Sequence, residues 1–509
     1  MRASSLAGLS VVALLPGCLI DRGPISGSED AAMIDAPFVD ASSPDTGLDA
    51  FGVDAFGADA FRAPDGGLDA FLPEDAAPDA FAPPDAFAPP DAFVPPDAFV
   101  PPDAFVPPDA FSAECTEGST RCELGTRLDR CSAGRWRAEA TCSPLGCGTS
   151  ARDPQPHCLV LVPSNVAAGE MRGGPDVTVA VSGAVDTSAC SGAGIAAGVL
   201  RVVGDYCVAS VGSLRIERTA QIEVVGSRPL VVLATGDVTI AGNVAAVGRG
   251  DALAGAGESS AGAGGDAIAE GIRDGGGGGG SFCGSGGRGG DGGTGGAPGA
   301  TASATLLSPL RGGSPGGRGS GADDLRGAGG RGGGALQISS RGTIFVSGVL
   351  YATGGGGREG RRRSGGAAAG GGGGSGGAVL LEGASVVFSG GRVDVRGGGG
   401  ASAACFDGST TPDEDGRPGQ DGFADGAGGR APGGAAPSCE GPGTVYDGGR
   451  GGEGSGRDDA RATDGASGDN GGGGGGGAGC VAVRSVVLPS VPTYPTASSV
   501  LATAAPQAD

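Results

Sequence analysis

Between Val177 and Val487 the apolar residues come in short runs that alternate with polar ones, the period of two expected of a β-strand with one buried face. Val177-Thr178-Val179-Ala180-Val181, Gln221-Ile222-Glu223-Val224 and Val238-Thr239-Ile240 are clear cases. Three stretches superpose: Leu230 to Gly248, Leu336 to Gly354, and Val379 to Gly397. Each reads as a strand, a small turn, a second strand, a glycine turn (Gly242, Gly348, Gly390) and a third short strand running into glycines. A repeat of about 20 residues built this way is one coil of a stack, because a lone coil cannot bury its apolar face without neighbours. The expected fold class is mainly β: a parallel β-helix (solenoid) with long Gly-rich inserts over 161–484. A β-sandwich with long decorated loops is the competing architecture.

The inserts lie at about 249–334, 355–377 and 398–478, lengths that compact domains rarely carry without function or disorder. Within the first, Gly286-Gly287-Arg288-Gly289-Gly290-Asp291-Gly292-Gly293-Thr294-Gly295-Gly296 keeps a strict GGX period of three. That period fits an extended left-handed helix with one side chain per turn pointing outward, and the short, proline-poor pattern separates it from collagen. The segment resembles glycine-rich repeat proteins of bacterial surfaces, which are thought to pack such strands side by side. A flexible loop is the equal alternative.

At the other end of the chain, the apolar stretch Leu6 to Leu15 follows Arg2 and closes on Leu15-Pro16-Gly17-Cys18. It is about half the length of a membrane-spanning helix and precedes a small-residue cleavage site, so residues 1–17 read as a processing segment. It resembles a lipoprotein signal peptide, although Pro16 departs from the usual small or aliphatic residue. The resemblance implies that the mature chain begins at an acylated Cys18, and Leu19 after it implies sorting to the outer membrane. From Asp49 the tripeptide Asp-Ala-Phe recurs ten times, in strict hexads by the end. Paired prolines such as Pro95-Pro96 favour polyproline II and exclude a helical or sheet core, so 18–112 is expected to be a disordered, acidic tether.

Thirteen cysteines are present, and setting Cys18 aside leaves an even twelve, which suits disulfides in an exported chain. Cys115, Cys122, Cys131, Cys142, Cys147 and Cys158 cluster with Trp136 in a module spanning 113–160, too short to fold on apolar burial alone. Cys190 and Cys207 are expected to bridge the entry coil. Cys283, Cys405 and Cys439 lie in inserts and Cys480 on a strand, where bridges could staple loops to the body. Residues 485–509, with Pro489, Pro492 and Pro495, are expected to form a loose tail.

Charge narrows the partners. The chain is −23 overall, a balance that phosphate backbones repel, so nucleic acid is not an expected partner. Every Lys/Arg position is Arg, which removes P-loop chemistry, and His157 is the single histidine, which leaves the main domain without a Ser/His or Cys/His set. Carboxylate pairs such as Glu217 with Glu223, or Glu382 with Asp394, could serve a polysaccharide-cleaving β-helical enzyme; solvated strand faces are the plainer account. No catalytic residue and no resident cofactor are assigned. Candidate calcium ligands are Asp413, Asp415, Asp421 and Asp425, in an oxygen-rich loop without EF-hand spacing. The run Arg361-Arg362-Arg363 beside Arg358 could meet an anionic headgroup, or simply be a solvated cluster.

The segment Val199-Leu200-Arg201-Val202 through Ala246-Val247-Gly248, then Gly333-Gly334-Ala335-Leu336-Gln337-Ile338, Gly376-Gly377-Ala378-Val379-Leu380-Leu381-Glu382 and Gly476-Gly477-Ala478-Gly479-Cys480-Val481-Ala482-Val483, with the module motifs Gly118-Ser119-Thr120-Arg121-Cys122, Arg135-Trp136 and Cys142-Ser143-Pro144-Leu145-Gly146-Cys147, resemble uncharacterised glycine-rich, cysteine-module-containing surface lipoproteins of high-GC Gram-negative bacteria. Lipid anchor, acidic spacer, disulfide-rich module and glycine-decorated β-domain together give the expected function: a cell-surface or outer-membrane lipoprotein, non-catalytic, with a structural or adhesion role toward surface glycans or neighbouring cells. An enzyme or binding module acting on extracellular polysaccharide is the alternative.

Overall fold

A computed structural model describes residues 113–143, 145–150, 153–192, 199–301, 307–363, 366–405, 414–422, 429–437, 448–455, 459–487, 492–494 and 500–503. Cys18, the signal segment and the Asp-Ala-Phe tether, with Asp413, Asp425 and Cys439, lie outside the described residues.

The cysteine module is an antiparallel meander of β1 (Thr120–Glu123), β2 (Arg127–Ser132) and β3 (Arg135–Thr141), followed by a ladder of β4 (Cys147–Gly148) with β5 (His157–Cys158). Three disulfides close it: Cys115–Cys131, Cys122–Cys147 and Cys142–Cys158. Arg121 stacks over Trp136, 4.7 Å from the ring centroid, and joins Arg127 on the buried Asp129. The Arg127 and Arg121 hydrogen bonds hold the Asp129 carboxyl below the usual carboxylate range.

The rest of the chain is mainly β, with one 3-10 turn at Ala168–Glu170. Strands recur in groups, each group lying parallel to the next. The first two strands are β6 (Val177–Val179) and β7 (Gly183–Asp186); β8 (Ser191–Gly192) and β9 (Leu200–Val203) are antiparallel side pieces. Then come β10 (Tyr206–Val211), β11 (Leu214–Ile216) and β12 (Gln221–Val225), and β13 (Leu230–Ala234), β14 (Val238–Ile240) and β15 (Asn243–Ala245). Next, β16 (Ala335–Val346) covers two of these positions in one strand before β17 (Val349–Tyr351). A short hairpin, β18 (Arg362–Arg363) with β19 (Gly366–Ala367), precedes β20 (Ala378–Phe388) and β21 (Arg392–Asp394). The last are β22 (Cys480–Val487), β23 (Thr493–Tyr494) and β24 (Val500–Thr503).

Pairing arranges these as a curled ten-stranded sheet, whose main path is β24-β22-β20-β16-β13-β10-β9, and a seven-stranded sheet ordered β23-β21-β17-β15-β12-β7-β8. Register stacks like on like: Leu230 opposite Leu336 opposite Val379, in agreement with the superposition of the three stretches. The third glycine turn differs by one residue. Val349 pairs with Arg392, which sets Gly391, not Gly390, against Gly348, because β20 lacks one residue at the corner after Ser340 and recovers it through positive-φ Gly390. A Cβ on Gly348 would stand 1.7 Å from the Gly242 carbonyl oxygen, which is why this column is glycine. Within 485–509, β22 runs to Val487, and β23 and β24 add parallel to β21 and β22.

Leu230, Val232 and Ala234 face one core with Leu336, Ile338, Val379, Leu381, Val481 and Val483, while Val231 and Leu233 face a second with Leu161, Met171, Phe282, Leu307 and Leu310. Burial on both faces explains the unbroken apolar run of β13, as expected where parallel sheets are covered on both sides.

The glycine inserts form a hydrogen-bonded bundle of extended strands. Residues 275–281 give the rule. Gly276 and Gly279 donate to Gly290 and Gly287, Gly277 and Gly280 to Gly370 and Gly373, and Gly278 and Ser281 to Gly265 and Gly262. The carbonyls of Gly276 and Gly279 accept from Gly296 and Gly299, those of Gly277 and Gly280 from Gly474 and Gly477, and those of Gly275 and Gly278 from Ser320 and Gly317. Partners change at each residue and recur every third, so the backbone turns once per three residues inside a ring of six strands. None of these glycines has a positive φ, as the left-handed extended helix requires. Residues 370–377 and 471–477 are surrounded in the same way, and the three central strands bond to one another.

The sequence distinguishes interior from rim. Central strands are nearly pure glycine because all three faces of each turn meet backbone: a Cβ would lie 2.0 Å from the Gly472 oxygen at Gly276, 2.2 Å from that of Gly317 at Gly277, and 2.0 Å from that of Ala297 at Gly278. The GGX strand 286–296 is peripheral, and its Arg288, Asp291 and Thr294 are exposed. Where a backbone partner is missing, a buried serine substitutes: the hydroxyl oxygens of Ser281, Ser314, Ser320 and Ser455 accept from the amides of Gly286, Gly262, Gly275 and Gly397. The bundle grows from the sheets. Backbone bonds Gly334 to Ala246, Gly377 to Ala352 and Gly479 to Val395 join strands entering β16, β20 and β22 to strands leaving β15, β17 and β21.

Candidate functional site

The outer face of the ten-stranded sheet carries two rows set by register. One is Val208, Val231, Gln337, Leu380 and Ala482; the next is Ser210, Leu233, Ser339, Glu382 and Arg484. Glu382 is fully buried and saturated: Ser164 donates through backbone and hydroxyl, Gln337 Nε2 at 2.9 Å, Ser339 Oγ at 2.8 Å and Arg484 Nη1 at 3.0 Å. Asn165 extends the network, donating to Leu307 O and Gln337 Oε1 and accepting from the Leu310 amide. The segment after the cysteine module is thus pinned on the sheet by polar bonds. Cys283–Cys480 pins the first insert to β22, and Cys190–Cys207 bridges the entry strands; Cys405 is also disulfide-bonded.

Asp394, paired with Glu382 in the enzyme reading of the sequence, lies in the other sheet. Arg396 grips it with two contacts, Nε to Oδ1 at 3.0 Å and Nη2 to Oδ2 at 2.8 Å, and donates to Gly429 O. Glu217 pairs with Arg215 and Glu223 with Arg249, so each carboxylate of the two sequence-derived pairs holds its own arginine. Of the calcium candidates inside the described residues, Asp415 accepts the Arg362 amide, and Asp421 Oδ1 accepts those of Gly250 and Gly356. Asp421 therefore ties two glycine strands together. Among the described residues no group of three or more His, Cys, Asp or Glu is placed to hold a metal. In the arginine cluster, Arg358 pairs with Asp251 at 2.6 Å and Arg361 with Glu359 at 3.0 Å. Glu258, bonded by the Gly332 amide and Arg331, has its carboxyl pushed up by burial, which outweighs both.

One buried carboxylate stands apart. Asp274 and Asn470 each immediately precede an all-glycine central strand and sit side by side in a parallel bridge, the Asp274 carbonyl accepting from Gly471. Asp274 is 7% exposed and Asn470 2%. Ser320 Oγ donates to Asp274 Oδ1 at 3.0 Å, and among the described residues no donor reaches Oδ2 and no arginine pairs with the group. Burial pushes its carboxyl above the usual range, with the Ser320 bond opposing. Asn470 Nδ2 donates to Ala404 O, but its Oδ1 is buried without a donor. Both residues line a cleft of 460 Å³ with Ile272, Gly321, Ala322 and Leu325. Sequence reasoning missed this pair; its only signal is a lone polar residue directly before each glycine run.

Comparison of the chain with known protein families, with characterised proteins and with solved structures finds no match. No helix among the described residues is long and apolar enough to cross a membrane.

Proposed function

We propose that this protein is a membrane-anchored cell-surface lipoprotein, tethered through Cys18 and the acidic Asp-Ala-Phe linker, with a structural or adhesion role. Its stacked strand groups are read as coils of a parallel β-helix, and the glycine bundle as the displayed part. The observation that carries the reading is the rim strand 286–296. Its glycines are bonded into the bundle, while Arg288, Asp291 and Thr294 face solvent one turn apart. At about 9 Å per turn of such a helix, this is a rigid ruler of side chains suited to multivalent contact. The neighbouring strand reinforces it, since Asp464 and Ser467 accept the amides of Arg288 and Asp291 and are themselves exposed. Disulfides in both the module and the body support export to an oxidising compartment.

Protease treatment of intact cells, with lysed cells as the digestion control and the glycine-rich domain followed by immunoblot, tests the placement. The reading expects loss of the domain from intact cells, and release of the protein from membranes in a Cys18→Ser variant. Protection in intact cells with digestion after lysis contradicts it.

A further inference from the structure

We propose that the cleft headed by Asp274 and Asn470 binds a primary ammonium group carried on an aliphatic stem, the chemistry shared by a lysine side chain and a free alkyl amine. The cleft offers one oxygen with unused acceptor capacity, Asp274 Oδ2, on a carboxylate with no cation, and beside it lies the buried, donorless Asn470 Oδ1. The other buried acidic groups have arginines: Asp129 has Arg121 and Arg127, Glu382 has Arg484, and Asp394 has Arg396. Burying a carboxylate without a counter-charge is costly, and among the described residues no cation supplies one here. An ammonium supplies a donor to Asp274 Oδ2, and its charge answers that of the carboxylate.

The other side chains in the lining are aliphatic, with glycine backbone between them: Ile272, Leu325 and Ala322 present no hydrogen-bonding side chain. Ile272 is 72% exposed and Ile268, nearby in sequence, 64%, so an apolar lip stands beside the acceptors. An alkyl stem covers that lip while its head reaches Asp274 Oδ2. A neutral sugar would leave the charge unbalanced. The backbone around the acceptors is fixed by the bundle, with Gly275 bonded to Ser320 and Gly471 to Asp274, so the site is preorganised. This inference stands independently of the surface reading, because it needs only the folded domain.

The test is titration of the purified, oxidised protein with pentylammonium, followed by NMR of isoleucine and leucine methyls and by calorimetry. The same protein is titrated with 1-pentanol, glucose and calcium. The expected result is saturable binding of pentylammonium with shifts at Ile272 and Leu325, at least tenfold weaker binding in Asp274→Asn, and weaker binding in Ile272→Ser, an exposed position where folding is not at stake. Nα-acetyl-lysine N-methylamide and 1,5-diaminopentane then separate the sources: preference for the first points to a protein partner, preference for the second to a free amine. Equal binding of 1-pentanol, undiminished binding in a folded Asp274→Asn variant, or occupancy by glucose or calcium with none by pentylammonium overturns the proposal.

Discussion

Replacing Gly279 by alanine places a methyl carbon 1.8 Å from the Gly475 carbonyl oxygen, where real contacts stay beyond 3.0 Å. One strand must therefore retreat by about 1.2 Å, and the obstacle is backbone rather than a side chain that could rotate away. Three bonds meet there: Gly279 to Gly287 at 2.8 Å, Gly287 to Gly475 at 2.8 Å and Gly475 to Thr463 at 3.0 Å. A buried donor left without its acceptor costs about 1–3 kcal/mol, so losing two of the three gives roughly 2–6 kcal/mol, a large share of an ordinary domain's stability. A flexible glycine loop predicts the opposite sign, because Gly→Ala in a permissive backbone stabilises by about 0.4–1 kcal/mol through the unfolded state. Gly169→Ala is the control, with no atom within 4 Å of its added carbon. Urea unfolding of the oxidised protein, followed by far-UV circular dichroism, measures both. A Gly279→Ala midpoint equal to or above wild type would refute the packed bundle.

Glu382→Gln removes the carboxylate paired with buried Arg484 and should destabilise by about 3–5 kcal/mol, measured in the same unfolding assay. Asp274 contributes a pH dependence of known sign. Its folded-state pKa is raised by burial, so its contribution is fully present below the unfolded value of about 3.9 and is lost as pH rises through the folded one. Asp274→Asn should thus melt with wild type near pH 3.5 and above it at pH 7, as thermal scans at the two pH values would record; equal melting at both would contradict the burial argument. Cys283→Ser with Cys480→Ser removes a link between residues 197 apart and should cost roughly 3–5 kcal/mol, measured as a lowered urea midpoint in non-reducing buffer.

The strands were legible where side chains carried the signal. Leu230, Leu336 and Val379 could be superposed because each begins an equivalent apolar run, and their register follows that alignment. The one-residue slip at Gly390 and Gly391 was not readable, since both are glycine and the missing residue at the preceding corner leaves no mark in the alternation. The GGX segment showed its period and its outward positions, yet its partners are as distant as Gly472 and Asp464. Side chains that would identify such neighbours are the groups the packing excludes. Glu382 stood out as an acidic residue in an apolar run, but its role depends on Ser164, 218 residues away, and on Arg484 in the adjacent strand. In the tail, β23 fits between Pro492 and Pro495 and β24 follows Pro495, each extending an existing sheet edge that the proline spacing alone does not reveal.

Hydrogen–deuterium exchange with peptide-level mass spectrometry on the purified, oxidised protein tests the packed bundle most directly. Peptides covering 275–281, 370–377 and 471–477 should exchange as slowly as those of β16 and β20, because every central amide is buried and bonded to another strand. Exchange of these glycine runs at the rate of an unprotected chain, with β16 and β20 still protected, would contradict it.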